Sequence, residues 1–355
     1  MEPDVGGSGR FAAIPREPIK VGVVGLGKMG ISHCSIIGAH LDAALAGVCD
    51  GSPLLRALFR QHTSVPVYSN VDAMLKEAAF DCLYIAVPTA LHAEMVNRAI
   101  DAGVHVFCEK PFILGSQAGE AIVKRVEQAG LVNQVGYHNR FIATFEHAKE
   151  LLVQGAIGTP YHFHAESSGP VVTRRRGATW RSESAKGGGC LYDYASHTID
   201  LTHYLLNPVR DVRGTLLKSI YSNGVEDAVY SALTLRDGLS GTLAVNWSDG
   251  AFRKMTTRMT IMGDRGKLIV DAHELKVYAN EDRPEQGIRV GWNIQYLTDL
   301  TPAVDFYLRG EEYSSETTYF LRNIRDRTLG SRCDFRTALL TDRVIELLQD
   351  DGVRS

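Results

Sequence analysis

The feature that most constrains the fold is a glycine-rich turn close to the start of the chain. The apolar run Ile19–Val24 ends at Gly25-Leu26-Gly27-Lys28-Met29-Gly30, which is the pattern Gly-x-Gly-x-x-Gly, and a helix-like segment follows. In such a strand–turn–helix unit, Gly25 permits the tight turn, Gly27 lets the backbone approach a diphosphate, and Gly30 lets the helix pack on the strand. Free N–H groups at the helix start attract the negative diphosphate. We therefore expect a dinucleotide site made by Gly25, Gly27, Lys28, Met29 and Gly30.

An acidic residue follows the second apolar run. Asp50 comes directly after Leu45–Cys49, about twenty residues beyond Gly30, where the dinucleotide fingerprint places the carboxylate that binds the adenosine ribose. The negative charge of this carboxylate repels a 2′-phosphate. The sequence thus favours NAD as the cofactor, while NADP stays open because Arg56 follows closely and a guanidinium can pair with that phosphate.

Short apolar runs alternate with amphipathic segments as far as Tyr137. The runs are Ile19–Val24, Leu45–Cys49, Cys82–Val87, Val104–Cys108 and Leu131–Val135. Strands of nearly continuous hydrophobicity are typical of a parallel sheet that is covered by helices on both faces. The sequence predicts an α/β, doubly wound Rossmann domain that binds NAD over residues 19–140. Residues 1–18, rich in Gly and Pro, are expected to form a flexible leader.

The pattern changes after residue 141. Alternating strands become frequent, and neighbours such as Ala228–Leu235 and Ser240–Trp247 are separated by the tight turn Asp237-Gly238. Helical spacing returns at Thr317–Asp326 and Arg336–Gln349. Residues 141–355 are therefore predicted to form a second domain of α+β type on a mainly antiparallel sheet.

Composition limits the classes of function. The chain has 355 residues, a net charge of -3 and no long basic tract, so two domains are expected and a nucleic-acid partner is not. No stretch reaches the roughly 18 consecutive apolar residues of a membrane span. The six cysteines are scattered and form no Cys-x-x-Cys pair, which indicates buried thiols in a reducing compartment. We expect a cytoplasmic protein without a membrane partner.

Two further groups of residues resemble a known family. Glu109-Lys110-Pro111 follows the fourth apolar run, and Pro88-Thr89 and His92 follow the third. Later, Trp180-Arg181 precedes Gly187-Gly188-Gly189-Cys190-Leu191-Tyr192-Asp193-Tyr194-Ala195-Ser196-His197-Thr198-Ile199-Asp200. In this order the motifs resemble the family of glucose-fructose oxidoreductase and inositol 2-dehydrogenase, the Gfo/Idh/MocA family. The resemblance spans residues 19 to 350.

The resemblance implies an activity, an assembly and a set of site residues. The implied activity is hydride transfer between NAD and a secondary hydroxyl of a sugar, a cyclitol or a sugar derivative, nucleotide-sugars included. The resemblance further implies that residues 141–355 bind substrate and carry an open sheet, through which a homodimer or homotetramer forms. The implied catalytic residues are Lys110, Asp193 and His197. The residues expected beside the cofactor are Pro88, Thr89, His92, Glu109 and Lys110.

The chemistry of these residues agrees with such a reaction. When hydride leaves the carbinol carbon, the hydroxyl proton must also be removed. A base with a pKa near the working pH does this best, and histidine has such a pKa. We therefore expect His197 to be the general base, with Asp193 orienting its imidazole or holding a neighbouring substrate hydroxyl. The ammonium of Lys110 suits a developing alkoxide. A metal is not expected, because neither His197, Asp200 and His203 nor His162 and His164 complete a ligand set.

Substrate contacts are expected on both sides of the crevice. The candidates are Tyr137, Asn139, Arg176, Trp180, Arg181, Asp193 and His197, and the neighbours His138 and Arg140 also lie near the crevice. The run Arg174-Arg175-Arg176 suits either an anionic substrate group or a solvated loop. Specificity is expected in the loops 169–186 and 282–300, where Trp292 and Tyr296 have rings suited to stacking on a sugar.

Three alternatives stay open at this point. Some relatives use tightly held NAD to oxidise a sugar, cleave its glycosidic bond and reduce it again, so that the reaction is redox-neutral. A Rossmann protein can also act as a non-catalytic NAD sensor, although the presence of Lys110 with Asp193 and His197 argues against that role. An amino-acid or imine derivative is a third alternative as substrate.

Overall fold

The computed structural model describes residues 17–175, 180–301 and 310–354. The expected leader lies outside this part of the chain except for its last two residues, and Arg176 lies outside it as well. Of the helices that the structure describes, none is long and apolar enough to cross a membrane. All six cysteines are buried free thiols.

The first domain is a six-stranded sheet with strand order β3-β2-β1-β4-β5-β6. All of its strand pairs are parallel. Its strands are β1 (Ile19–Val24), β2 (Ala43–Cys49), β3 (Val67–Tyr68), β4 (Cys82–Ile85), β5 (His105–Cys108) and β6 (Asn133–Val135). Its helices are α1 (Lys28–Ala39), α2 (Pro53–His62), α3 (Val71–Glu77), α4 (His92–Asp101) and α5 (Ser116–Gln128). The predicted doubly wound Rossmann fold is confirmed.

Helix α2 was not predicted from the sequence. Its first turn is capped by Ser52, whose hydroxyl accepts a hydrogen bond from the Leu55 N–H, and Pro53 stands at the first helical position. None of its residues is fully buried, and Leu54 is largely exposed. Leu55 and Phe59, four residues apart on one face, are half-buried against the core, so the start signals and a short apolar stripe both indicate this helix.

The second domain is built on a nine-stranded sheet with strand order β14-β13-β12-β11-β7-β10-β9-β8-β15. Strands β7 and β10 pair in parallel at its centre, β8 and β15 pair in parallel at one edge, and the remaining pairs are antiparallel. The sheet is thus mainly antiparallel, as predicted. Its elements are α6 (Ala143–Val153), β7 (Pro160–Ser168), α7 (Ser196–Leu205), β8 (Val209–Lys218), β9 (Ala228–Leu235), β10 (Ser240–Asn246), β11 (Thr256–Gly263), β12 (Gly266–Asp271), β13 (Glu274–Ala279), β14 (Gly291–Tyr296), α8 (Leu297–Leu300), α9 (Glu311–Asp326), α10 (Phe335–Asp351) and β15 (Val353–Arg354).

The two faces of this sheet differ. Phe163 and Leu243 point to one face, where they share a core with Ile199 of α7. The opposite face carries exposed rings, among them Tyr278 and Trp292, which contact each other across β13 and β14 at 5.4 Å between ring centroids. We call this second face the open face. Strand β14, which no sequence signal revealed, forms its edge.

The last helices return to the first domain. Phe320 and Leu321 of α9 share a core with strands β1 and β4, and Phe335 and Leu339 of α10 share one with β5 and α5. The bounds 19–140 and 141–355 stay a prediction. What the structure adds is that the C-terminal helices join both domains, because their apolar residues pack against the Rossmann sheet while α10 also contacts α7 and β8.

Candidate active site

The glycine turn has a spatial reason for each of its glycines. Gly25 has a positive φ of 99°, and a Cβ there would come within 2.5 Å of the Ala86 carbonyl oxygen. A Cβ on Gly30 would come within 1.7 Å of the Gly25 carbonyl oxygen, whereas one on Gly27 would meet nothing within 4 Å. The turn is therefore closed on its inner side and open at Gly27, which begins α1. This is the shape that a diphosphate needs, so the turn fits NAD.

Asp50 is fixed against this turn. Its Oδ2 accepts a hydrogen bond from the Leu26 N–H at 2.6 Å, and its Oδ1 accepts one from the Ser52 N–H at 2.7 Å. Each carboxylate oxygen keeps a further lone pair for a ribose hydroxyl. Arg56 donates to the main-chain oxygen of Asp50 at 2.6 Å, so a guanidinium also lies beside this position.

Lys110 connects the two domains. It follows β5, precedes Pro111 through a cis peptide bond, and directs its Nζ at Asp193, with 2.8 Å to Oδ1 and 2.8 Å to the main-chain oxygen. The other oxygen of Asp193, Oδ2, lies 3.4 Å from Nε of Arg181. Burial acts to raise the pKa of Asp193, but the charges of Lys110 and Arg181 outweigh it and hold that pKa below its ordinary value. Asp193 is thus an ionised group between two cations.

His197 lies on α7, four residues beyond Asp193 and 4% exposed. The π-helical turn Leu191–Ala195 carries Asp193 and leads directly into α7. Burial, followed by the positive charges of Lys110 and His138, holds the pKa of His197 well below its ordinary value of 6.5. The imidazole is therefore neutral at neutral pH, which is the state a base needs. Its Nδ1 has no hydrogen-bond partner in the described part of the chain.

The expected pairing of Asp193 with the imidazole is not what the structure has. Both oxygens of Asp193 are taken by Lys110 and Arg181, because a cation attracts a carboxylate more strongly than a neutral ring does. His197 is instead positioned by rings. Tyr137 meets it edge-on at 6.0 Å between centroids, and His138 meets it edge-on at 5.0 Å.

Two residues near the cluster were missed by sequence reasoning. Tyr313 of α9 stacks on His138, with ring centroids 4.7 Å apart and an interplanar angle of 20°. Only the fold brings α9 to this place, so no local signal in the sequence identifies Tyr313. The second residue is His33, one turn into α1 and fully buried, whose Nε2 lies 2.7 Å from Oε1 of Glu109.

The His33 contact fixes the charge of Glu109. Burial acts to raise the pKa of Glu109, but the hydrogen bond from His33 and the charges around it hold that pKa below its ordinary value. The His33 ring is held between Tyr84 and Phe107, each 5.2 Å away between ring centroids. Glu109 is therefore an ionised carboxylate, fixed on the side of the crevice where the nicotinamide is expected.

Two predicted contacts need correction. His92 is buried, and its ring nitrogens face the carbonyl oxygens of Val87, Pro111 and Phe112 at 3.0 Å each, so it ties two loops together and does not face the crevice. Tyr137 is fully buried with its hydroxyl in the interior, so its ring supports His197 and does not contact substrate. Asn139 is as buried as His197, so its contact with substrate stays a prediction.

Other predicted residues are found in varied places. Thr89 is buried against Gly187, where a Cβ would come within 3.0 Å of its own Cβ, whereas Pro88 is exposed after β4. Lys28 is exposed and Met29 half-buried at the start of α1. Trp180 begins a short 3-10 turn, but its side chain lies outside the described residues, as does Arg176.

Trp292 and Tyr296 were expected to stack on substrate, and the structure contradicts this. Both side chains of β14 are on the open face, and His197 is on the helix that covers the other face. Successive side chains of a strand point to opposite faces of the sheet, so the position of each residue along β14 determines which face it occupies. These rings therefore do not line the site of their own chain.

Among the described residues, no group of three or more His, Cys, Asp or Glu side chains is arranged to hold a metal. Asp200 instead forms a buried two-pronged ion pair with Arg140, at 2.6 and 2.8 Å. Burial and the charges of Arg140 and Arg236 lower the pKa of His203 to about 3. On β7, the Nδ1 atoms of His162 and His164 lie against the hydroxyls of Ser240 and Thr242.

A Rossmann sheet with a dinucleotide turn, facing a second domain that adds an acid–base cluster, defines a class: the NAD-binding oxidoreductases. The NAD-binding Rossmann fold of the GFO/IDH/MocA oxidoreductase family matches residues 19–137, and the C-terminal domain of the same family matches residues 145–269. Together these matches cover more than half of the chain. The chain belongs to the GFO/IDH/MocA family.

Individual relatives show the range of this family. The chain is 24% identical to the myo-inositol 2-dehydrogenase of Thermotoga maritima over 316 residues, which is 86% of this chain and 88% of that protein. It is 29% identical to the 2,7-anhydro-N-acetylneuraminate hydratase of Escherichia coli over 264 residues, 72% of this chain and 68% of that protein. A solved levoglucosan dehydrogenase in complex with NADH and levoglucosan has the same fold, with a TM-score of 0.85 and 21% identity over 94% of this chain and 97% of that one.

Proposed function

We propose that this protein is a dehydrogenase that transfers hydride between NAD and a secondary hydroxyl of a sugar, a cyclitol or a sugar derivative. The observation that carries the proposal is the meeting of Lys110, Asp193 and His197. The three come from two domains and lie at the carboxyl edge of the Rossmann sheet, which is the same edge as the glycine turn. In open α/β sheets this edge is where ligands bind.

Each residue of this group has a separate task in the proposal. His197, neutral because its pKa is depressed, takes the proton of the substrate hydroxyl. Lys110 donates a hydrogen bond to the reacting oxygen and stabilises its developing negative charge. Asp193 holds the Lys110 ammonium in place through its two contacts of 2.8 Å. NAD, when bound, supplies the hydride acceptor.

The remaining predicted residues bind the cofactor in this proposal. The open side of the turn at Gly27 takes the diphosphate, and Asp50 takes the adenosine ribose. Pro88, Thr89 and Glu109 line the nicotinamide side. Arg181, half-exposed beside Asp193, faces the substrate space. Arg174 and Arg175 are exposed, so an anionic substrate group such as a nucleotide diphosphate is included in the substrate class.

The test is NADH formation, followed by absorbance, against cyclitols, sugars, sugar acids, nucleotide-sugars and amino or imine analogues. We expect one class to give steady turnover and His197→Ala to lose about 10²- to 10⁴-fold in kcat, the usual contribution of a positioned base. His147→Ala, which removes a half-exposed histidine on α6, is the matched control and keeps wild-type turnover. Turnover by His197→Ala at the control's rate would refute the assignment.

A second candidate is favoured by one specific observation. The Escherichia coli relative is named a hydratase, and adding water to a substrate changes no oxidation state overall. A redox-neutral reaction of this chain would convert substrate, with NAD bound, while NADH does not accumulate. Product analysis alongside the NADH assay separates the two candidates, and absence of both signals would favour an NAD sensor.

We also propose that the protein forms a homodimer or homotetramer through the open face and works in the cytoplasm. The exposed rings of Tyr230, Tyr278 and Trp292 on one sheet face support the assembly. The buried free thiols support a reducing compartment. Trp292→Glu is expected to shift the protein to a smaller species in sedimentation velocity. An unchanged sedimentation coefficient would contradict this assembly.

A further inference from the structure

The proposed base is buried, so the proton that it takes needs a route to solvent. His197 is 4% exposed, and both carboxylate oxygens of Asp193 are already paired with Lys110 and Arg181. Each oxidation of a hydroxyl releases one proton, so a buried base needs a neighbour that passes the proton on. The identification of that neighbour rests on the proposed function.

The neighbouring ring is His138. Its centroid lies 5.0 Å from that of His197, with the planes at 69°, and it is half-buried where His197 is buried. The Nδ1 of His197 is a buried nitrogen without a hydrogen-bond partner in the described residues. His138 is thus an ionisable ring beside the base, and it lies closer to solvent.

The distance between the two histidines is fixed by an ion pair. His138 begins the 3-10 turn His138–Phe141, and Arg140 in that turn binds Asp200 through two buried contacts of 2.6 and 2.8 Å. Asp200 lies three residues beyond His197 on α7. The pair therefore joins the turn that carries one histidine to the helix that carries the other.

Helix α9 packs against His138. Tyr313 stacks on it at 4.7 Å, and Tyr313 is itself half-buried in the first turn of the helix. Of the three neighbouring rings, His197 is thus buried, whereas His138 and Tyr313 are half-buried. A stacked ring holds the imidazole in one orientation, which a proton relay requires.

The charges around the pair favour outward movement of a proton. Lys110 and His138 both oppose a positive charge on His197, while the Glu109 carboxylate is near enough to His138 for the two charges to attract. Two further ionisable neighbours are Tyr137, edge-on to His197, and Tyr313, stacked on His138. The Glu109 carboxylate thus favours a positive charge on His138, whereas Lys110 opposes one on His197.

We infer that His138 is a relay residue that receives the substrate proton from His197 and releases it to solvent. One nitrogen of His197 takes the hydroxyl proton while the C–H hydride leaves the same substrate carbon for NAD. The imidazolium so formed gives a proton to His138 in its neutral form, and the protonated His138 then gives a proton to water. The products are a carbonyl, NADH and one solvent proton, so atoms and charge balance. In the reverse direction the same route brings a proton in.

The kinetic test compares His138→Phe with His138→Ala. Phenylalanine keeps a ring to stack on Tyr313 but exchanges no proton, and we expect it to lower kcat by about tenfold or more with KM within about twofold, since base catalysis and not binding is impaired. His138→Ala leaves space for a free imidazole, and added imidazole is expected to restore kcat with saturation. Wild-type kcat in His138→Phe would overturn the proposal, as would loss of activity in His138→Ala that imidazole leaves unchanged.

A second readout needs no turnover. Ring ¹⁵N chemical shifts in the NADH complex report the protonation of each histidine, and removing the charge of His138 in His138→Phe is expected to raise the pKa of His197. An unchanged His197 titration would overturn the proposal. If the wild type oxidises nothing in the substrate panel, the proposed function fails. The titration still decides whether the protonation states of His197 and His138 are coupled. Melting temperature and NADH affinity, each unchanged, confirm that the variants are folded.

Discussion

In the cofactor half of the site, the residues that would bind the diphosphate occupy six consecutive positions, Gly25 to Gly30. In the catalytic half, Lys110 follows β5, Asp193 lies in a π-helical turn, His197 lies on α7 and Tyr313 comes from α9. The first arrangement is set by steric limits within one turn. The second exists only when two domains and a C-terminal helix are packed together. A substitution in the cofactor half should therefore impair NADH binding or the stability of the turn, whereas a substitution in the catalytic half should impair turnover. The following experiments measure these effects separately.

Among the substitutions that compare the two halves, the largest effect is expected from Lys110→Met, which removes the cation while keeping the length of the side chain. Loss of one electrostatic stabiliser of a developing oxyanion costs about 10²- to 10³-fold in kcat. NADH affinity, measured by fluorescence titration, should change little because the glycine turn is intact. Lys124→Met, an exposed lysine of α5, is the control. A parallel loss of NADH affinity would show that the two halves are not separable.

His33→Leu tests the contact that joins α1 to Glu109. The substitution leaves a buried carboxylate without its partner, which costs about 1–3 kcal/mol of unfolding free energy. The pKa of Glu109 is lowered on folding, so its pairing adds stability at pH above its ordinary value and loses that part as pH falls below it. Denaturation at several pH values should therefore show wild type and variant converging at acid pH. A constant difference at all pH values would contradict a stabilising contact between His33 and the ionised Glu109 carboxylate.

Gly27→Val and Gly30→Ala separate cofactor binding from folding. A side chain at Gly27 meets open space, so the variant should fold normally and lose about tenfold in NADH affinity, or 1.4 kcal/mol, because the backbone approach is blocked. A Cβ at Gly30 meets the Gly25 carbonyl oxygen, so that variant should also melt at a lower temperature. Equal melting temperatures for the two variants would mean that the turn is not closed on its inner side.

The smallest effect concerns the acid limb of the pH profile. Because the pKa of His197 is held well below 6.5, kcat/KM for oxidation should stay within about twofold between pH 7 and 6.5 and fall only at lower pH. The same shift makes the folded protein less stable as pH falls below 6.5, since the unfolded chain binds the proton more tightly. A fall in kcat/KM centred at or above 6.5 would contradict the neutral, buried base.

The difference between the two halves also explains what the sequence could predict. The glycine turn, Asp50 and the parallel sheet could be predicted from the sequence, because each has a local pattern of residue types along the chain. The motif with Lys110 and the motif with Asp193 and His197 could be found in the sequence. Which carboxylate oxygen of Asp193 pairs with which cation could not be predicted. The pairing of Asp193 with Lys110 depends on how the domains meet, and so does the distance between His197 and His138.

The predicted contacts that the structure contradicts were wrong for two reasons: some side chains are buried, and others lie on the opposite face of the sheet. Tyr137 follows a strand that ends at the crevice, but its hydroxyl is directed inward. Trp292 and Tyr296 lie in a stretch whose extended structure no turn or apolar run revealed, so the face they occupy was not predictable. His92 sits close to the expected cofactor contacts in sequence, yet its nitrogens hold the carbonyl oxygens of two loops.

The most direct test of the central claim is isotope transfer from a substrate deuterated at the carbinol carbon. The account predicts that the wild-type protein forms NADH that carries the deuterium, in equal amount to the carbonyl product. It also predicts that His197→Ala, with NAD bound, forms neither within the same time. Conversion of substrate with the deuterium retained in the product and no labelled NADH would contradict net oxidation and identify a redox-neutral reaction.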